Sequence, residues 1–310
     1  MAAPARKTGI TKSTWFKVAR ALLIAFLLLL VAVLAAKAIR DLPAAQSFMG
    51  RFPGTSRLPP DAPVGFPAWL AWEHFLNGFL LLFIIRSGWH IRTATRQAVF
   101  WTRNNTGLIR TRNRPNKISL SLWFHLSVDA LWVLNGIIFY ILLFTTGQWM
   151  RLVPVNWDIF PNAVTVAVEY LSLNWPTDAS WVNYNSLQVL SYFVTVFLAA
   201  PLALITGLRM SPAWPSRFTR INTVYPVGMA RAIHFPVMVW FAAFTVAHVT
   251  LVLATGALRN LNHMYAVRDD EGWVGFWIFA VSLLVTVGAW FAAQPIILRS
   301  VASLSGSVTR

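Results

Sequence analysis

His234 and His248 lie fourteen residues apart in one apolar segment, Arg231-Ala-Ile-His-Phe-Pro-Val-Met-Val-Trp-Phe-Ala-Ala-Phe-Thr-Val-Ala-His-Val-Thr. A helix turns about 100° per residue, so fourteen steps return to nearly the same face, and a rise of about 1.5 Å separates the imidazoles by roughly 21 Å along the axis. Imidazole binds haem iron axially. One helix therefore offers a ligand at each of two depths, if other helices supply the opposite ligands. A single histidine on an apolar face is commonly a satisfied core side chain. Two in register inside a membrane segment are costly to keep without a function.

The elements that must position these rings are membrane helices. With 57% hydrophobic residues, 12% charged residues and 16 Trp in 310 positions, the chain has too little polar surface to cover a soluble domain. Six stretches reach the roughly 20 apolar residues that a hydrocarbon core requires. They run about Trp15–Ala36, Trp69–Trp89, Leu120–Thr145, Leu187–Thr206, Ala232–Thr255 and Val274–Ile297. The expectation is an all-α integral membrane protein of six transmembrane helices, with a four-helix haem-binding bundle formed by helices 2–5. Residues 1–40 make an N-terminal cytoplasmic segment and an extra helix, 68–257 the di-haem core, and 258–310 an outer loop, the sixth helix and a cytoplasmic tail. The longest connection, Gly147 to Ser186, is rich in Trp, Pro and Asn, and nothing in it resembles a separate soluble domain.

Charge placement sets the orientation. One side collects nineteen of the 26 basic residues: Arg6, Lys7, Lys12, Lys17 and Arg20, then eight from Arg86 to Lys117, then Arg209, Arg217, Arg220, Arg231, Arg299 and Arg310. The other side holds seven, together with every acidic residue outside the apolar spans. By the positive-inside rule both termini and the basic loops are cytoplasmic, in a cell inner or plasma membrane. The net charge of +16 is then a matter of topology, with anionic lipid rather than nucleic acid as the partner. Basic residues followed by an apolar run and Leu34-Ala-Ala-Lys-Ala also resemble a signal peptide, but the run exceeds a typical h-region, so a retained helix is expected.

Depth restricts which histidines face each other. The fifth span starts on the cytoplasmic side, which places His234 shallow on that side and His248 toward the outer face. His125 lies early in the third span, which also starts inside, and His74 lies early in the second, which starts outside. His125 thus pairs with His234 at an inner level and His74 with His248 at an outer one. His90 falls at the cytoplasmic boundary and reads as interfacial. His263, in the outer loop Asn260-Leu-Asn-His-Met-Tyr, reads as a solvated side chain. The chain has no Cys, which excludes disulfides, Cys-ligated iron–sulfur clusters and covalent c-type haem. No phosphate-binding glycine loop, nucleophile elbow or zinc helix motif occurs.

Trp72-Glu-His-Phe-Leu-Asn-Gly, Trp123-Phe-His-Leu with Asn135-Gly and Tyr140, Tyr184-Asn-Ser-Leu-Gln-Val-Leu-Ser-Tyr with Pro201 and Thr206-Gly-Leu-Arg-Met-Ser-Pro, and the His234/His248 helix resemble the prokaryotic di-haem cytochrome b family. That family supplies membrane subunits of nickel–iron hydrogenases, formate dehydrogenases and thiosulfate-reductase-like molybdoenzymes. The resemblance covers about Trp69 to Gly256. It implies two haem b groups with His74, His125, His234 and His248 as axial iron ligands, matching the pairing by depth. It implies quinone as substrate and an electron-transfer rather than catalytic subunit, partnered by an oxidoreductase such as a molybdopterin enzyme. The extra first helix departs from the family and places its core upside down in the membrane.

The resemblance also places the Asn matching Asn185 at a quinone pocket, with Gln188 three residues on and on the same face; the plain alternative is a capping box at a helix start. Asp129, one turn beyond His125, is a candidate to orient a histidine ring, to carry protons, or to bond a neighbouring helix. Glu73 adjoins His74 near the outer interface, where solvation is the simple reading. Two further functions fit the chain: a stand-alone transmembrane reductase of ferric iron or another acceptor, and a haem-free transporter or assembly factor using the same groups for protons or metal.

Overall fold

The computed structural model describes residues 12–95, 98–106, 110, 114–175, 180–215, 217 and 219–310. Of the basic residues used for orientation, Arg6, Lys7, Arg96 and Arg112 lie outside them. Among the described residues six helices are long and apolar enough to cross a membrane, so the protein is an all-α, multi-pass membrane protein. The elements in order are α1 (Lys12–Arg40), α2 (Pro43–Arg51), α3 (Ala68–Thr93), β1 (Phe100–Arg103), β2 (Lys117–Ser119), α4 (Leu120–Thr145) and α5 (Ile159–Leu171). There follow α6 (Ser186–Phe193), a π-helical stretch Val194–Ala199, α7 (Ala200–Met210), α8 (Thr219–Val224), α9 (Val227–Ala254), α10 (Ala257–Leu261), α11 (Val274–Ala292), α12 (Pro295–Ser303) and β3 (Gly306–Thr309).

The chain divides into two compact units. The first comprises residues 12–56, 157–175 and 185–187. Its α1 is apolar on every side, with Leu22, Phe26, Leu28 and Val31 all exposed, the surface of a helix whose solvent is lipid. The longest connection contains a helix, α5. Ile159, Ala163 and Val166 recur at helical spacing and are buried, a stripe that the Trp, Pro and Asn around it conceal. Buried Asn162 fastens this helix: its Oδ1 accepts from Gly54 N at 2.9 Å and its Nδ2 donates to Asp158 O at 2.8 Å. Gly54 has φ +95°, and a Cβ there would meet Val166 Cγ2 at 2.9 Å. Only glycine fits. Burial pushes the Glu169 carboxyl up against the opposing pull of Arg40.

The second unit, residues 57–156, 180–184 and 188–310 in their described parts, carries all six histidines. Its α3 and α4 run antiparallel in a fixed register: Trp69 stands against Phe139 at 6.2 Å and Phe83 against Phe124 at 6.1 Å. Ser119 caps α4 by accepting from Leu122 N at 3.2 Å, a contribution of about 1 kcal/mol. The fourth span changes from α to π geometry just before Pro201. Proline brings no N–H, so a carbonyl one turn earlier loses its partner. The Tyr140 hydroxyl fills that gap by donating to Val196 O at 2.5 Å, as a chain in lipid requires.

β1 pairs antiparallel with both β2 and β3, so the tail after the sixth span is folded against the loop between the second and third. Val99, Leu120 and Ala302 form a small buried cluster there, packed by Trp101, Trp123 and Val308. Among the described residues, this sheet and cluster tie the tail to the loop before α4.

Candidate functional site

The four histidines singled out by depth fall into two pairs. At the outer level the His74 and His248 rings lie 5.9 Å apart between centres, at 64° to one another. Imidazole nitrogens that each bond a metal at about 2 Å place their rings roughly 6 Å apart, so this spacing fits an iron between them. Phe244 stacks on His248 at 5.6 Å and 8°, while Tyr192 and Tyr265 meet His248 and His74 edge-on at 6.0 and 6.2 Å. Aromatic walls of this kind suit a flat macrocycle.

At the inner level His125 and His234 lie within electrostatic reach of each other. Ser87 Oγ is 2.8 Å from His125 Nδ1, and Thr206 Oγ1 is 2.8 Å from His234 Nδ1. Each hydroxyl also contacts helix carbonyls one turn back, Ser87 to Phe83 O at 2.7 Å and Thr206 to Leu202 O at 2.6 Å. A carbonyl cannot donate, so the hydroxyl proton goes to it and the imidazole Nδ1–H donates to the hydroxyl oxygen. Both rings thus carry their proton on Nδ1. Nε2 is left with the lone pair that binds a metal.

A glycine follows each of these hydroxyl residues and faces the same ring. A Cβ on Gly88 would lie 3.3 Å from His125 Cε1, and one on Gly207 would lie 3.7 Å from His234 Cε1. Ser87-Gly88 and Thr206-Gly207 are thus the same device used twice, on α3 and α7. The repetition is visible in the sequence as a hydroxyl residue before glycine near the inner end of two spans. Sequence reasoning had no geometry with which to attach it to a histidine.

Between the two levels lies a packed layer. Val237 and Phe241, on the same helix as His234 and His248, are buried with Ala199 and flanked by Trp132 and Ile85. Leu80, Phe83 and Val128 form the corresponding cluster on α3 and α4. The layer holds the pairs at separate depths.

Asp129 lies 3.6 Å from His125 Nε2, beyond hydrogen-bonding distance and on the ring nitrogen opposite the Ser87 contact. The orienting contacts of His125 are with Ser87 Oγ and the Ile84 carbonyl. Asn185 belongs to the first unit, where its amide donates to the Tyr170 hydroxyl at 2.8 Å. Gln188 belongs to the second, one turn before Tyr192 on α6. His90 is exposed at the end of α3, as an interfacial residue should be.

Two readings change. His263 is not solvated: it is 1% exposed, stacked on Phe66 at 5.7 Å and packed on Trp181. Its Nε2 donates to Asp269 Oδ1 at 2.7 Å and its Nδ1 pairs with Ser180 Oγ at 3.2 Å. Hydrogen bonds from Arg259 and His263 hold the Asp269 carboxyl down at about 2. Neighbouring Asn262 is fully buried and binds Asp270 and Gly272 through Nδ2 and Gly275 N through Oδ1. The loop is a folded platform, and it is what carries Tyr265 to His74. Glu73 is not wet either, being 5% exposed.

Arg151, 1% exposed, completes the outer end. Its guanidinium donates to Gly65 O at 2.6 Å and to Ser180 O, and lies over the Phe66 and Tyr184 rings. These contacts join the segments before α3 and α6 to the His263 platform.

Among the described residues no three His, Asp or Glu side chains gather as a metal cluster. The donor set on offer is two histidine pairs, which suits a metal whose other ligands come from a porphyrin. Comparison with family models, curated proteins and solved structures finds no match to this chain.

Proposed function

We propose that the protein is a membrane cytochrome b with two bis-histidine haems, passing electrons between a quinone and a partner oxidoreductase. The observation that carries this reading is the Nδ1 lock on His125 and His234, two rings close enough to interact, which leaves the Nε2 lone pair of each for a metal. The 5.9 Å spacing of His74 and His248 supports the second site. Haem b bound at such sites supplies reversible one-electron chemistry tuned by its axial ligands and their hydrogen bonds.

This chain's residues do the rest. Ser87 and Thr206 fix ring orientation, Gly88 and Gly207 leave room beside the rings, and the Val237–Phe241 layer keeps water from the interval. Asn185 and Gln188 are the residues that the family resemblance offers for quinone contact, and Asp129 is a polar group beside the inner site. The basic loops face the cytoplasm, which puts His74 and His248 toward the outer face. The partner is an oxidoreductase subunit, molybdopterin-dependent in the family resembled. Anaerobic addition of a short-chain quinol to the purified protein tests the relay: haem b bands should appear at a saturable rate. Co-purification identifies the partner.

A further inference from the structure

The sixth span, expected to run to Ile297, ends at Ala292. Its 19 residues are about 28 Å long, which fills a hydrocarbon core of about 30 Å. Gln294 is then extended, at φ −102° and ψ 156°, and Pro295 opens α12. Arg86 donates to Trp290 O at 2.6 Å and Ala293 O at 3.0 Å, satisfying carbonyls at the end of α11. The segment Pro295–Ser303 is therefore a separate helix that begins where the span ends.

Helical spacing sorts α12 into three sides. Leu298 and Ala302 face inward and pack with Leu120 and Trp123 of α4 and with Trp101 of β1. Trp101 Nε1 donates to Ala302 O at 3.0 Å, and β3 pairs with β1, so this side is held in place. Ile296, Ile297 and Val301, with Leu304 just past the helix end, make a second side. All four are exposed, Ile296 by 74% and Leu304 by 84%. Arg299 and Ser303 form the third side, a polar edge.

A contiguous apolar face of this kind marks an interaction surface, and two observations favour phospholipid as what covers it. The face begins a few residues after a membrane span and sits at the level of the first turns of α4. That is the boundary where acyl chains meet one side of a helix and phosphates the edge beside it. The charge around it is also of one sign: the sequence from Arg86 to Val128 and from Ala293 to Arg310 contains no Asp or Glu. Uncompensated basic charge attracts acidic headgroups. A second copy of the chain, carrying the same charge on the same face, would be repelled.

We infer that α12 is an interfacial helix lying along the headgroup layer of the leaflet on the basic side. Ile296, Ile297, Val301 and Leu304 enter the acyl chains, and Arg299 meets the phosphates of acidic phospholipid. The tail after the sixth span is thereby tied both to the β1–β3 sheet and to the membrane surface.

The native chain has no Cys, so nitroxide labels can be placed singly through Ile297→Cys, Val301→Cys and Ser303→Cys, all at exposed positions of the full-length protein. The labelled proteins are reconstituted into vesicles of phosphatidylcholine mixed with phosphatidylglycerol. Collision with oxygen relative to a water-soluble nickel chelate should be several-fold higher for the labels at Ile297 and Val301 than at Ser303, matching a depth of about 5–10 Å into the headgroup and acyl boundary. Arg299→Glu should lower that ratio at Val301 several-fold, by setting a negative charge against the phosphates, and Arg299→Lys should leave it unchanged. Labels that meet the chelate equally at all three positions put the helix in water. Labels shielded from both reagents put it under protein, and a ratio at Val301 indifferent to Arg299→Glu removes the phosphate contact. Each of these three results overturns the inference.

Discussion

Ser87 Oγ sits 2.8 Å from His125 Nδ1 while its own proton is committed to the Phe83 carbonyl at 2.7 Å. One side chain on α3 therefore decides the tautomer of a ring on α4, and Thr206 does the same for His234 across α7 and α9. The inner site is defined by four residues, of which two are histidines.

Removing the hydroxyl should leave the ring free to turn. Ser87→Ala and Thr206→Val are expected to weaken inner-haem retention about 10- to 100-fold, the usual cost of losing an orienting partner, and to leave the outer haem in place. Ser87→Thr should restore it. His125→Ala and His234→Ala should remove the same haem, and His74→Ala and His248→Ala the other. Resolved redox titration of the two haems reads each outcome. Grouping of His125 with His248 would break the assignment by level.

The proposed orientation rests on nineteen basic residues against seven. The native chain has no Cys, so single-cysteine labelling has no background. Exposed Thr106, between the second and third spans, and exposed Glu271, in the outer loop, are suitable positions. Thr106→Cys should react with an impermeant maleimide only after the membrane is opened, and Glu271→Cys should react in intact cells. The reverse pattern would turn the bundle over and put His74 and His248 toward the cytoplasm.

The outer platform should be acid-sensitive in a defined window. Asp269 has its carboxyl lowered from 3.8 to about 2 by Arg259 and His263. A group depressed on folding adds stability above its unfolded value, and that contribution fades as pH falls through the folded one. Local stability of the 260–272 loop should therefore hold from pH 7 to about 4 and drop between about 4 and about 2. Asp269→Asn should lower stability at pH 7 and abolish that acid limb, as measured by hydrogen exchange. An acid limb of the same size in the variant would assign it to another carboxyl.

The membrane helices were legible because runs such as Leu22 to Val33 are apolar on every side, and depth alone sorted four histidines into two levels. What sequence hid was side-chain company. His263 and Glu73 looked wet from their positions near a loop and an interface, yet Phe66 and Trp181 cover one and Asn135 faces the other. Both coverings come from residues more than fifty positions away, which no local pattern records. The helix Ile159–Leu171 was hidden for a different reason: its buried stripe is short, and Pro161 and Asn162 near its start resemble turn signals.

Haem content decides whether the protein is a di-haem cytochrome. A pyridine haemochrome assay on purified protein expressed with haem in supply, set against protein concentration and a low-temperature reduced-minus-oxidised spectrum, measures it directly. The prediction is two low-spin b haems per chain, one for His74 with His248 and one for His125 with His234. Folded protein that remains colourless, or that holds one haem and never a second, would contradict it.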